Sequence, residues 1–169
     1  MTIVCDTASQ WILAADVCRG PGNDSPRFPA CMREAAKRTP IERVLADSGY
    51  DSEAHHRLCH EELAISEVLI ALAPRNSKGK VCTPYRRRMK KALKGGRYGQ
   101  RWQAESVISR IKRRLGDSLK SRRFDNQVDE VFMKVLTYDL MIILLSLYKT
   151  YRYFCKTNRT IRTVFYRAT

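Results

Sequence analysis

An α/β fold is predicted by three features of this sequence. Apolar runs of strand length recur, stretches with helical spacing follow them, and turns rich in Gly, Pro, Asn and Asp separate the two. The chain has 169 residues, 44% hydrophobic and 29% charged, which suits one folded domain with a real core and excludes a wholly disordered polypeptide.

Residues 3–6 and 11–17 read as two strands of a hairpin, and RGPGNDSP after them is a strong turn signal. Asp24 or Ser25 can cap a helix with Pro26 in its first turn, turning Phe28, Cys31, Met32 and Ala35 inward until Pro40 stops it. RVLAD at 43–47 is the next strand, ending at Ser48, Gly49 and Tyr50, so its acid points into a loop face. Ser52 caps a helix through Leu63, and residues 66–72 return as a strand. Residues 74–83 form a basic, polar loop; Thr83 and Pro84 then start a basic helix that Gly95 and Gly96 end. A further helix runs to Leu115, with Gly116 as its stop. From Asp125 a long helix carries Val128, Val131, Phe132, Val135, Leu136, Ile143, Leu144 and Leu147 at three-and-four spacing, which predicts a core helix.

Within that last helix LMIILLSLY, residues 140–148, is apolar enough to raise the question of a membrane span. A span needs about 20 apolar residues, and Lys134, Asp139 and Lys149 bracket a run of roughly half that, so no membrane is expected. Residues 1–149 are read as one domain and 150–169 as a basic, aromatic tail without clear periodicity.

The net charge of +15 is concentrated in one segment. Residues 75–123 hold 18 Lys or Arg against two acids, Glu105 and Asp117, hence +16; the remainder holds 14 bases against 15 acids, hence −1. A block this basic most simply meets phosphates, where released counterions supply affinity. Nucleic acid is therefore the favoured partner over an anionic membrane surface or plain solvated charge. Arg86, Arg87, Arg88, Lys90 and Arg113 in the block are candidate phosphate contacts.

The six cysteines contain no C-x-x-C pair, and the first residues show no basic leader followed by an apolar stretch and a cleavage site. Reduced, scattered cysteines and a cytoplasmic location are the expectation. HHRLCH at 55–60 sets His56 and His60, and His55 and Cys59, at the i, i+4 spacing of a zinc pair. No second ligand pair stands near at finger spacing, so a polar helix surface is the preferred reading.

YGQRWQAESVISRIK, residues 98–112, places one carboxylate among cationic and aromatic neighbours. On a helix turning about 100° per residue, Arg101, Glu105 and Lys112 fall within roughly 60° of Tyr98. Ala104, Val107, Ile108, Ile111 and Leu115 form a separate apolar face, which leaves Glu105 beside the core-facing side. An i, i+4 ion pair with Arg101 is the plain reading of that Glu. With Asp47 at a strand end, the two carboxylates in a basic surround instead suit a Mg²⁺ site acting on a phosphodiester.

At these residues the chain resembles the DDE transposases of bacterial insertion sequences. In that family Tyr, two residues, Arg, three residues, Glu, six residues, Lys carries the third catalytic acid; Tyr98, Arg101, Glu105 and Lys112 reproduce it. An Asp, any residue, Gly, Tyr motif carries the second acid, and DSGY from Asp47 to Tyr50 matches. The resemblance implies a ribonuclease H-like mixed sheet with flanking helices, and it covers most of the chain as far as Leu147. It also implies that the first strand, which bears the first catalytic Asp, is lacking. Asp6 would lie on the second strand and Asp24 after the third, so neither replaces that acid.

Carried over, the resemblance implies that Asp47 and Glu105 bind Mg²⁺ or Mn²⁺, and that Tyr98, Arg101 and Lys112 hold the phosphates of double-stranded DNA at transposon ends. The expected activity is DNA cleavage and strand transfer, in a chain with one acid missing. The alternative is an inactive DNA-binding remnant that associates with, or inhibits, a full-length transposase. Self-association stays open.

Overall fold

Four strands and five helices follow one another in the order β1 β2 α1 β3 α2 β4 α3 α4 α5 in a computed structural model that describes residues 1–20, 22, 24–73, 81, 83–93 and 97–157, with the backbone alone at 97, 101 and 154–157. The basic loop expected at 74–83 falls mostly outside the described residues, as do Gly95, Gly96 and positions 158–169.

The hairpin forms where expected: β1 (Thr2–Cys5) pairs antiparallel with β2 (Ile12–Asp16), in a register that sets Thr2 opposite Asp16 and Val4 opposite Ala14. Asp6 closes its turn, accepting hydrogen bonds from the Ser9 backbone N–H at 2.7 Å and from the Ser9 hydroxyl. These bonds hold the Asp6 carboxyl below its usual pKa.

A 3-10 turn, Ser25–Arg27, leads into α1 (Phe28–Arg38). Asp24 stands at the cap position but makes no side-chain cap bond, and Phe28, Cys31, Met32 and Ala35 are buried as their spacing requires. Next, β3 (Arg43–Ala46) pairs parallel with β4 (Glu67–Ile70) through the crossover that contains α2 (Glu53–Arg57). The helix expected to reach Leu63 does not continue as an α-helix. It widens at once into a π turn, Leu58–Glu62, and stops at Ala64 in the left-handed region.

The single mixed sheet of the sequence reading is here two sheets of two strands, β1 with β2 and β3 with β4. Burial, reinforced by the nearby charges of Asp24 and Asp47, raises the Tyr50 hydroxyl pKa.

The C-terminal helices are α3 (Pro84–Ala92), α4 (Trp102–Leu115) and α5 (Phe124–Thr157). Val107 and Ile111 of α4 pack with Ile12, Val135 and Tyr138, which joins α4 and α5 to the hairpin. Asp139 accepts a hydrogen bond from the Ile12 N–H at 3.0 Å, and burial raises its pKa. A second cluster, with Phe28, Met32, Val44 and Val68 at its centre, sits between α1 and the β3–β4 sheet.

Two expectations for α5 need correction. It is one helix of 34 residues, so the apolar run is longer than residues 140–148: its Phe124–Tyr153 part passes a length-and-composition test for a span that core helices of soluble proteins pass as well, and no membrane follows from it. Nor is it a core helix throughout: Val135 and Tyr138 are buried, while Phe132, Leu136, Leu144 and Leu147 are exposed. Three-and-four spacing defines an apolar stripe but not what covers it. The helix also continues past Lys149 to Thr157, where the sequence shows no periodicity.

Candidate active site

The acid of RVLAD stands where strand geometry puts it, immediately after β3. Its backbone is extended, and one carboxylate oxygen of Asp47 accepts the Ser48 N–H at 2.7 Å, capping the 3-10 turn Ser48–Tyr50. Asp47 is exposed and lines a cavity of about 1230 Å³.

Glu105 lines the same cavity from the first turn of α4. The helical stripe drawn through Tyr98, Arg101, Glu105 and Lys112 is broken, however. Residues Arg97–Arg101 form a 3-10 turn, and α4 begins only at Trp102, so Tyr98 and Arg101 precede the helix. The tighter turn lets the Tyr98 hydroxyl donate to the Ala46 carbonyl at 2.9 Å, tying the entry of α4 to the strand residue just before Asp47. The Arg101 side chain lies outside the described residues. Lys112 and Arg113 are exposed further along α4, and Arg113 also donates to the Ser109 carbonyl at 3.4 Å.

The two carboxylates reach the cavity from different walls. Asp47 is at the carboxyl end of β3, whereas Gln103 and Arg110 of α4 both hydrogen-bond to Gln10 in the turn of the hairpin. Asp6 and Asp24 also line the cavity, but Asp6 is committed to its turn. Two exposed carboxylates have the oxygen chemistry a hard divalent ion needs. The number falls short: among the described residues no three His, Cys, Asp or Glu side chains are grouped to hold a metal. The residues present therefore do not make up a metal site by themselves.

Sequence reading missed Asp51, four residues after Asp47 and fully buried. Its carboxylate takes a bidentate grip from Arg86, Nε at 2.7 Å and Nη2 at 2.5 Å, and accepts the Ala73 N–H at 2.9 Å. Arg86 is thus turned inward, unlike the surface phosphate contact expected of it; a guanidinium used up on a buried carboxylate is structural. Glu53 adds to the joint by accepting the N–H groups of Tyr85 and Arg86 at 3.0 and 3.3 Å, at the positive end of α3. The signal for Asp51 is the second acid of DSGYD, but its partner lies 35 residues away and nothing local announces it. The other cations of α3 face outward: Arg87, Arg88 and Lys90 are exposed, with Arg88 over the Tyr85 ring at 5.7 Å.

HHRLCH folds inward and is not a polar surface. His55 and Cys59 are buried, His55 Nδ1 contacts the Tyr50 carbonyl at 2.8 Å, and its ring stacks on Phe28. His60 Nδ1 meets the Ile65 carbonyl at 2.8 Å, and burial pushes the Cys59 thiol up to about 12. The π turn spoils the helical spacing on which a zinc pair would depend. Cys5, Cys18, Cys31 and Cys59 are free; Cys82 and the Cys155 side chain lie outside the described residues.

No solved structure matches this chain. With an acid at a strand end, a second on a helix across one cavity, and a basic segment joining them, the match of residues 1–140 to the model named Transposase DDE domain fits what the geometry offers, and the chain belongs to that family.

Proposed function

We propose that this chain acts in DNA transposition as part of a DDE transposase of insertion-sequence type, with a ribonuclease H-like catalytic fold. Asp47 and Glu105 would hold Mg²⁺ or Mn²⁺ together with a third acid that none of the described residues groups with them. Such ions would supply activation of water or a 3′ hydroxyl and stabilisation of the leaving oxygen. This chain's own part is to hold the DNA backbone at a transposon end, through Tyr98, Arg101, Lys112 and Arg113 near the acids and Arg87, Arg88 and Lys90 on α3. The observation that carries this reading is that Asp47 and Glu105 line one cavity in a chain of this family.

A second reading is favoured by the missing third donor: the chain alone binds DNA without cutting it, and pairs with or inhibits a full-length transposase. One experiment separates the two. Purified chain is incubated with transposon-end DNA and Mn²⁺, and nicking and binding are measured for wild type and Glu105→Ala. Nicking abolished by Glu105→Ala establishes the catalytic reading. Binding without nicking, equal in both proteins, establishes the second. No DNA binding at all overturns both.

A further inference from the structure

The joint that docks α3 contains a buried nitrogen able to take up a proton. His56 on α2 is 1% exposed, and its Nε2 has no hydrogen-bond partner among the described residues. A buried polar atom left in that state is rare enough to call for an explanation. Four charged or titratable groups act on it from the segments around it: Asp51 ahead of α2, Glu53 within α2, His60 in the π turn and Arg86 of α3. The same groups hold α3 in place. Arg86 grips Asp51, Glu53 accepts the Tyr85 and Arg86 N–H groups, and the His60 ring stacks on Tyr85 at 5.1 Å.

A proton on Nε2 creates a charged donor with no acceptor beside it, and one of the two carboxylates must turn to meet it. Asp51 is the harder to move, because its oxygens are held by the guanidinium of Arg86 and by the Ala73 N–H. Glu53 is held only by neutral backbone N–H groups, whose bonds are about half as strong as charge-assisted ones. It also lies three residues before His56 on one helix, a spacing at which side chains meet. We propose that His56 is a proton-driven latch on α3: once protonated, it draws Glu53 off the Tyr85 and Arg86 N–H groups and frees the helix that presents Arg87, Arg88 and Lys90. Burial keeps the ring neutral to below its usual 6.5, despite Asp51 and Glu53, so the latch is closed above that pH and opens below it. A freed α3 must be ordered again on binding, which lowers affinity for DNA. That consequence rests on the proposed function, whereas the latch does not. It also runs against charge, since acid makes the chain more positive and by itself strengthens phosphate contacts.

The test compares the full chain as wild type, His56→Gln, His56→Leu and Glu53→Gln at pH 7.5 and 5.5. Hydrogen exchange, corrected for its intrinsic pH dependence, is read at Tyr85–Lys90 and at α1, and duplex DNA affinity is titrated at one salt concentration. In wild type at pH 5.5, protection of α3 is expected to fall at least about tenfold while α1 keeps its protection. DNA affinity is expected to fall with it. Both histidine variants are expected to show neither change, and His56→Leu serves if His56→Gln does not fold. Glu53→Gln keeps an oxygen for the two N–H groups but offers the ring no charge, so it too is expected to lose the response. Unchanged protection of α3, equal loss over α1 and α3, or a response that persists without His56 overturns the latch. Affinity that holds or rises while α3 opens overturns its link to DNA. No DNA binding at either pH overturns the functional reading, and the exchange data then decide the latch alone.

Discussion

At the scale of single residues, the pair Asp51 and Arg86 is the most consequential, because both partners are taken out of water. Removing one member leaves a buried charge without its partner, which costs about 3–5 kcal/mol. Asp51→Ala is therefore expected to lower the urea midpoint strongly, and Arg86→Lys to rescue little, since an ammonium cannot reproduce the fork. The double change Asp51→Leu with Arg86→Met, which removes both charges, is expected to stay folded and lie closer to wild type. His56 gives a second prediction. Its Nε2 is buried without a hydrogen-bond partner among the described residues, and burial lowers its pKa from 6.5 despite the opposing pull of Asp51 and Glu53. With the folded pKa below the unfolded one, the unfolded chain binds more protons in between, so stability is complete above pH 6.5 and falls as pH drops below it. Urea midpoints at pH 7.5 and 5.5 are expected to differ less in His56→Leu than in wild type. Neither role is legible locally, because each depends on a partner or a packing layer distant along the chain.

At the scale of elements, the patterns read well wherever one periodicity meets one neighbour. The hairpin, α1 and the crossover from β3 to β4 all follow from alternation, caps and turn residues in the sequence, and Asp47 falls at its strand end for the same reason. The reading failed where a local backbone change overrides the period. The 3-10 turn before Trp102 moves Tyr98 off the helical stripe, and the π turn after Arg57 breaks the histidine spacing. It failed differently in α5, where the apolar pattern is real but much of its second half stays exposed among the described residues. Leu140, Leu144, Leu145, Leu147, Tyr148 and Tyr151 are each more than two-fifths exposed, a continuous apolar face of the kind that drives association. Leu144→Lys with Leu147→Lys is expected to raise the concentration at which the protein stays in solution. It should leave the melting temperature within about 2 °C, because such surface changes cost under about 0.5 kcal/mol. A large fall in melting temperature would mean that this half of α5 is packed.

At the scale of the whole molecule, the uneven charge decides how the chain meets DNA. With +16 in residues 75–123 and −1 elsewhere, the attractive field belongs to α3, α4 and the segments joining them. The Asp51–Arg86 and Glu53 joint fixes α3 against α2 and β4, so the exposed cations of α3 are presented by a rigid body tied to the loop that follows Asp47. Each phosphate neutralised contributes about 0.9 to the slope of log affinity against log salt. Replacing Arg87, Arg88 and Lys90 by Ala is therefore expected to reduce that slope by about 2 to 3. The Asp51→Leu with Arg86→Met protein is expected to keep the wild-type slope although it too has lost an arginine, since Arg86 spends its charge inside the fold. Titrations of duplex DNA at four or five salt concentrations measure both. Equal losses of slope per cation removed would show that the inward turn of Arg86 does not persist on DNA, and that α3 reorients when it binds.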